Sequence, residues 1–268
     1  SIMSYASLAR IAIQANQNEM HGGQSVPNFD YSMAPGVAKT YVKEYYDALA
    51  QSLAVRLGIG YADACAIAKN IKKELPAPTL SNADAFEAEL CKWFTQADDK
   101  FGLDGKVLVA AHKNAAETAL ASTDKATFQA MEALVHNLNT MNSRAGAQVP
   151  FSSVNYGTDT SPEGRMVMKN LLLATDNGLG NGETPIFPVQ IFKVKEGINY
   201  NPEDPNYDLF RLAIKTSAKR LFPNFSFIDA PFNLEYYKPG DYNTEVAYMG
   251  CRTRVMANTY DPTKAVTC

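Results

Sequence analysis

Two hydrophobic rhythms divide this 268-residue chain. Through the first half, apolar residues recur at three- and four-residue spacing, which marks amphipathic helix. Segment 5–19 carries Leu8, Ile11, Ala12 and Ala15 on one face and stops at Gly22-Gly23, glycine being a common helix terminator. Segment 24–30 contains Pro27 and reads as irregular loop. Further helices are expected over 35–57, with Pro35 in the first turn, and over 61–74, stopped by Pro76 and Pro78. Segment 81–94 starts at a Ser81-Asn82-Ala83-Asp84 cap. Helices over 107–120 and 125–139 are expected to be separated by a Thr123-Asp124 cap. From Val149 onward the rhythm changes. Segments 149–157, 186–194, 224–229, 245–248 and 254–260 read as strands, although Pro188 sits badly inside the second of them. Helices over 161–175 and 204–221 alternate with these strands. That alternation predicts βαβ units and a mostly parallel sheet. The fold class is α/β, with a helical layer ahead of it. The strands near Phe151, Ile186, Phe225, Val246 and Val255 are expected in one sheet, with Cys251 on a loop beside it.

Composition excludes several classes of function. The 25 basic and 28 acidic residues leave a net charge of -3, with no long basic run for nucleic acid or anionic membrane. No apolar stretch reaches the roughly 18 residues of a membrane span, and the N-terminus lacks a signal-peptide pattern. Cysteines stand at 65, 91, 251 and 268. None forms a C-x-x-C pair, so zinc and dithiol signatures are absent. Sparse, unpaired cysteines fit a reducing cytoplasm. Cys65 and Cys91 fall in helical apolar patterns and read as core. The chain opens at Ser1 without methionine and closes on strand-like residues at Cys268, which reads as a fragment of a larger protein.

The most chemically suggestive stretch is Met249-Gly250-Cys251-Arg252-Thr253-Arg254. Gly250 admits tight or left-handed backbone, which suits a loop tip between two strands. Arg252 and Arg254 favour a thiolate if they approach the sulfur. Against this stands the ordinary role of cysteine as a small buried hydrophobe. Gly178, Gly180 and Gly182 match neither the dinucleotide nor the P-loop spacing. Glu183 beside them could serve a site at a strand end or be a solvated loop acid. His21 lies between Met20 and two glycines, where a ligand could approach the backbone closely. His112 and His136 lie on helices and read as packing or surface residues, too scattered for a metal cluster. No nucleophile-elbow motif is present. Tyr41, Tyr45 and Tyr46 fall at helical spacing and read as core or interface.

Several longer stretches resemble class III anaerobic ribonucleoside-triphosphate reductases, which are glycyl radical enzymes. They are NQNEMHGGQSVPNFDY at 16–31, SRAGAQVPFSSVNYGT at 143–158, SPEGR at 161–165, GNGETPIFP at 180–188, AKRLFPNFSF at 218–227 and VAYMGCRTRV at 246–255. The resemblance implies the first half of a ten-stranded α/β barrel with a finger loop. Residues 1–148 would be its mainly helical N-terminal part and residues 149–268 the strand-helix half barrel. Cys251 matches the family's thiyl radical cysteine at the finger tip. That cysteine abstracts the ribose 3′ hydrogen, the 2′ hydroxyl leaves as water, and formate commonly supplies the reducing equivalents.

The resemblance also implies parts that lie outside this chain. These are the C-terminal glycyl radical, a zinc site and a regulatory ATP/dATP domain, so the chain alone should be inactive. Implied partners are ribonucleoside triphosphates, deoxynucleotide effectors, formate, a radical-SAM activating enzyme and a second subunit in a cytoplasmic homodimer. Neither membrane nor DNA is a direct partner. His21, Gly22, Gly23, Gln24, Asn155 and Glu183 are the candidate substrate- or effector-binding residues, and no metal ligand is expected. Two other readings remain at this point. One is a nucleotide-binding and dimerisation module without turnover; the other is a different glycyl radical enzyme, such as a formate-lyase relative.

Overall fold

The computed structural model describes residues 1–20, 22–101, 104–142, 148–250, 253–257 and 265–267, with side chains at 97–101, 256–257 and 265–267 left aside. They form two compact units. Residues 36–126 make up one; residues 2–35 and 127–268 make up the other. The segment ahead of Pro35 belongs with the sheet rather than with the helices that follow it.

The 36–126 unit is helical. It holds most of α2 (Phe29–Leu57), all of α3 (Tyr61–Glu74) and α4 (Ala83–Phe101), and the first part of α5 (Gly105–Thr140). Helix α3 buries Ala64, Ala68 and Ile71, and α5 buries Leu108, Ala111, Ala115 and Ala119, in each case at the spacing of one helical face. Tyr41, Tyr45 and Tyr46 are buried with Phe86, Leu90 and Trp93, so the tyrosine spacing marked core. Two cap expectations fail. Helix α5 runs unbroken through Thr123-Asp124, because Thr123 is buried inside the helix and tertiary packing overrides the local capping preference. Helix α2 begins six residues before Pro35, where Phe29 and Asp30 are buried. Cys91 is exposed and Cys65 half-buried, so neither is the core residue expected, because both fall off the buried stripes of their helices.

Inside this unit the Tyr45 hydroxyl lies 2.8 Å from His112 Nδ1. Burial holds the imidazole below the ordinary histidine range. The folded state then binds the proton less readily than the unfolded chain. Its stabilisation is complete above the unfolded pKa and is lost as pH falls through the depressed folded value. Unfolding midpoints between about pH 7.5 and 5 should therefore drop more steeply for the wild type than for His112→Gln. Parallel pH profiles would refute this.

The second unit is built on a sheet of four parallel strands in the order β1 (Gln24–Val26), β2 (Ser152–Tyr156), β3 (Val189–Val194) and β4 (Asn224–Phe227). Helix α6 (Pro162–Asn177) connects β2 to β3, and α7 (Tyr207–Arg220) connects β3 to β4. The α/β reading of this half holds. Every residue of β2 and β3 is buried, as in a parallel sheet covered on both faces. Pro188 falls just ahead of β3, which removes the difficulty of a proline inside it.

Three sequence expectations change here. Residues 24–26, read as loop, form strand β1, because Gln24–Val26 pair in register with Ser152–Val154. The Val246 and Val255 segments do not join the parallel sheet. Instead β5 (Ala247–Met249) and β6 (Thr253–Ala257) form an antiparallel hairpin, extended by β7 (Ala265–Thr267). A connection of three residues can close a hairpin but cannot make the crossover a parallel pair needs. The strand at 245–248 is also shifted, since Glu245 lies outside β5.

Candidate functional site

Alternation along β2 and β3 gives the parallel sheet two unlike faces. Val154, Tyr156, Gln190 and Phe192 share one face by register. There Tyr156 and Phe192 meet edge to face, and Phe192 packs on Phe210 of α7. The opposite face carries Ser153 and Asn155 from β2, and Ile191 and Lys193 from β3. Polar side chains dominate that second face, and the segment 245–250 lies along it.

The segment is held first at its start. Glu245 Oε2 lies 3.3 Å from Lys193 Nζ and accepts from Thr158 Oγ1 at 2.8 Å. Its Oε1 lies 3.1 Å from Lys195 Nζ, which also reaches the Tyr237 hydroxyl at 2.7 Å. Lys193 donates to Asn28 Oδ1 at 2.7 Å. The side chains of Lys193 and Glu245 are only 1% and 3% exposed. Burial pulls the Lys193 ammonium below the ordinary lysine range, against the attraction of Glu245 and Asp30. Burial likewise pushes the Asp30 carboxyl up, against Lys193 and three N–H donors. Lys195, less buried, moves up; its bonds to Tyr237 and Glu245 outweigh the opposing effect of burial.

Asp30 closes the carboxyl end of β2. Its Oδ2 accepts from the N–H groups of Gly157 and Asp159 at 2.8 and 3.1 Å. Asn199 Nδ2 donates to Gly157 O at 3.0 Å and to Lys193 O at 2.8 Å, joining β2 to β3.

Three residues further along, Tyr248 is bound from both sides. Its N–H donates to Asn155 Oδ1 at 2.8 Å, and its carbonyl accepts from Asn155 Nδ2 at 2.8 Å and from Ser25 Oγ at 2.8 Å. Asn155 Nδ2 also reaches Ser25 Oγ at 3.1 Å. Two residues on, the Gly250 N–H donates to Ser153 Oγ at 2.6 Å, and Gly250 takes φ +61°. The segment thus runs antiparallel to β2. Beside it an open cleft of about 340 Å³ is lined by Gln17, Gly22, Gly23, Gln148 and Phe151. On the hairpin's other strand, Arg254 donates to Asn233 Oδ1 at 2.9 Å and lies over the Phe232 ring.

Of the residues singled out by sequence, Cys251 and His21 lie outside the described residues. Gly22 and Gly23 line the cleft, and Gly22 needs its φ of +88°. Gln24 opens β1; its N–H donates to Phe151 O at 2.8 Å, and its Oε1 accepts from Asn16 Nδ2. Asn155 is fully buried on the polar face. Glu183 is not brought to this group. It is exposed in the turn after α6, where its carboxylate accepts from Asn181 N and Nδ2 at 2.9 and 3.2 Å. Hydrogen bonds within that turn, its own backbone N–H first and then those of Asn181, hold the carboxyl below the usual range.

Sequence reading missed Ser153, Lys193, Lys195 and Glu245. A signal was present, since Lys193 interrupts the apolar run Ile191-Phe192-Lys193-Val194, and lysine is almost never fully buried unless paired.

Gly23 has a packing reason to be glycine. A Cβ there would lie 2.4 Å from Met249 Sδ and 2.5 Å from Phe151 Cδ1. Gly23→Ala should cost about 1–3 kcal/mol by overpacking, read as a lower urea midpoint at unchanged slope. A neutral substitution would show that Met249 and Phe151 do not hold the hairpin against β1.

The polar face thus holds residues 245–250 by an ionic anchor at one end and hydroxyl and amide contacts at the other. This is an α/β scaffold whose polar sheet face docks one segment of the chain. The family profile of anaerobic ribonucleoside-triphosphate reductase matches residues 1–267, and the chain belongs to that family. The anaerobic ribonucleoside-triphosphate reductase of Haemophilus influenzae is 35% identical over 136 residues, 50% of this chain and 18% of that protein. The enzyme of that name from enterobacteria phage T4 is 37% identical over 136 residues, 50% of this chain and 22% of its own length. The Escherichia coli enzyme is 33% identical over 132 residues, 49% of this chain and 17% of its own length. The matched stretch thus spans about a fifth of these relatives. No described helix is long and apolar enough to cross a membrane.

Proposed function

We propose that this chain is the part of an anaerobic ribonucleotide reductase that presents the radical cysteine, Cys251, to the ribose of a ribonucleoside triphosphate. The observation that carries this is the family match along the chain together with the docking of 245–250, which ends one residue before Cys251. The parallel sheet is the first half of the barrel, and the β5–β6 hairpin is its finger loop. A glycyl radical elsewhere in the whole protein supplies the acceptor for the Cys251 hydrogen atom. This chain's own residues hold the segment that leads to Cys251: Ser153 binds the Gly250 N–H, and Met249 and Phe151 pack at Gly23. Cys251 then removes the ribose 3′ hydrogen, the 2′ hydroxyl leaves as water, and formate is the reductant. The 22–24 turn, at the cleft beside the hairpin, contacts the nucleotide substrate or effector with His21.

Zinc, the regulatory ATP/dATP site, the activating radical-SAM enzyme and the second subunit belong to the whole protein in the cytoplasm. The test is turnover. The full-length protein, purified and activated without oxygen, should convert ribonucleoside triphosphates to deoxyribonucleoside triphosphates in a formate-dependent reaction. Nucleotide binding without turnover in the activated protein would leave only a binding module and refute the catalytic reading.

A further inference from the structure

The contacts along 245–250 share one geometric property. Ser153 and Asn155 are two residues apart on one face of β2, and the backbone groups they bind, on Gly250 and Tyr248, are also two residues apart. Lys193 of β3 and Lys195, just past its end, both bind the Glu245 carboxylate and hold the start of the segment. Side chains alternate with period two along a strand, so these contacts fit only one register. A one-residue slip would turn the bonded groups away from the sheet. Asn155 also behaves as a surrogate strand, accepting from the Tyr248 N–H and donating to its carbonyl, as a neighbouring backbone would.

Burial by itself holds the hairpin weakly. Strand β5 is three residues long and buries only Ala247 fully, and Thr253, Arg254 and Val255 of β6 are half-exposed. Short strands of this kind depend on packing against other elements. Ser153 and Asn155 are both 0% exposed, where a lost partner is most costly.

We infer that Asn155, Ser153 and Ser25 are positioning residues for Cys251. They act through the hairpin backbone, and their side chains set the register in which the residue after Gly250 is presented. The inference deepens the reading of Cys251 as the reactive residue and rests on it for its consequence, though not for the docking itself. It also gives Asn155 a role other than contact with nucleotide.

The isosteric change Asn155→Asp tests it in the full-length protein. An ionised carboxylate accepts but cannot donate. It keeps the Tyr248 N–H, loses the bond to the Tyr248 carbonyl and repels it. Amide exchange of 247–250, corrected for its intrinsic pH dependence, should rise on the order of tenfold or more at alkaline pH. It should fall back as pH drops and the protonated acid donates again, a reversal that a packing role would not produce. Ser153→Ala should raise exchange at Gly250 with no such reversal. Unchanged exchange at 247–250 in both variants overturns the inference, whatever the turnover. Exchange that rises across α6 and β3 as well marks general unfolding in Asn155→Asp, and Ser153→Ala then decides. In the variant with a loosened hairpin, kcat should fall with KM nearly unchanged and follow the same pH reversal. A loosened hairpin with full turnover would overturn the positioning role, while the reading of Cys251 itself fails only if Cys251→Ser still turns over.

Discussion

Full-length protein carrying Cys251→Ser should bind ribonucleoside triphosphates normally and reduce none of them. The substitution changes one atom and keeps the shape of the side chain, so the binding surface is retained. The chemistry is not retained, because a serine O–H bond is too strong to surrender its hydrogen atom to a carbon radical. An interaction needed only along the reaction path lowers kcat and leaves binding alone. The loss should amount to several orders of magnitude, seen as absent deoxynucleotide product beside an unchanged binding isotherm. Cys65→Ser and Cys91→Ser give the contrast. Cys91 is exposed and Cys65 half-buried, so both variants should turn over like the wild type with stability changes within about 0.5–1 kcal/mol. Measurable turnover in Cys251→Ser would remove the cysteine from the reaction.

Much of this architecture was legible in the sequence, and the failures have physical causes. The α3 bounds read from periodicity coincide with the observed Tyr61–Glu74, because Ala64, Ala68 and Ile71 sit on a narrow apolar stripe between strong breakers. Helix α6 was legible from Ser161-Pro162, and the Ser161 hydroxyl does accept from Gly164 N at 3.0 Å. Strand β1 was not legible. It has three residues and contains no alternating pattern, and it exists because β2 supplies its partners. The Gly22-Gly23 pair was noticed for the right reason at Gly22, where φ is positive. At Gly23 the close approach is made by Met249, from more than 200 positions along the chain, a contact no local pattern encodes. The ionic anchor was illegible for the same reason. Lys193, Thr158, Asn28 and Glu245 are scattered in sequence, and only the tertiary fold sets them side by side.

That anchor should dominate the stability of the sheet. Lys193 and Glu245 are both almost fully buried, and the charge of Lys193 is the attraction that most offsets the cost of burying the Asp30 carboxyl. Lys193→Met keeps the volume and the aliphatic stem but removes the charge. Glu245 then retains only Lys195 and Thr158, Asn28 loses its donor, and Asp30 loses a compensating cation. Breaking a buried pair in this way costs about 3–5 kcal/mol, because the surviving charge stays desolvated. Against a total stability of about 5–15 kcal/mol, that is a large share. Adding Glu245→Leu removes the stranded carboxylate. The double variant should therefore recover much of the loss, since a buried ion pair can often be replaced by apolar side chains at little net cost. Chemical denaturation of the wild type, the two single variants and the double variant completes the cycle. A Lys193→Met variant within about 1 kcal/mol of wild type would show that Lys195 alone satisfies Glu245. A double variant less stable than Lys193→Met would show that Glu245 anchors the hairpin through Lys195 and Thr158 without needing Lys193.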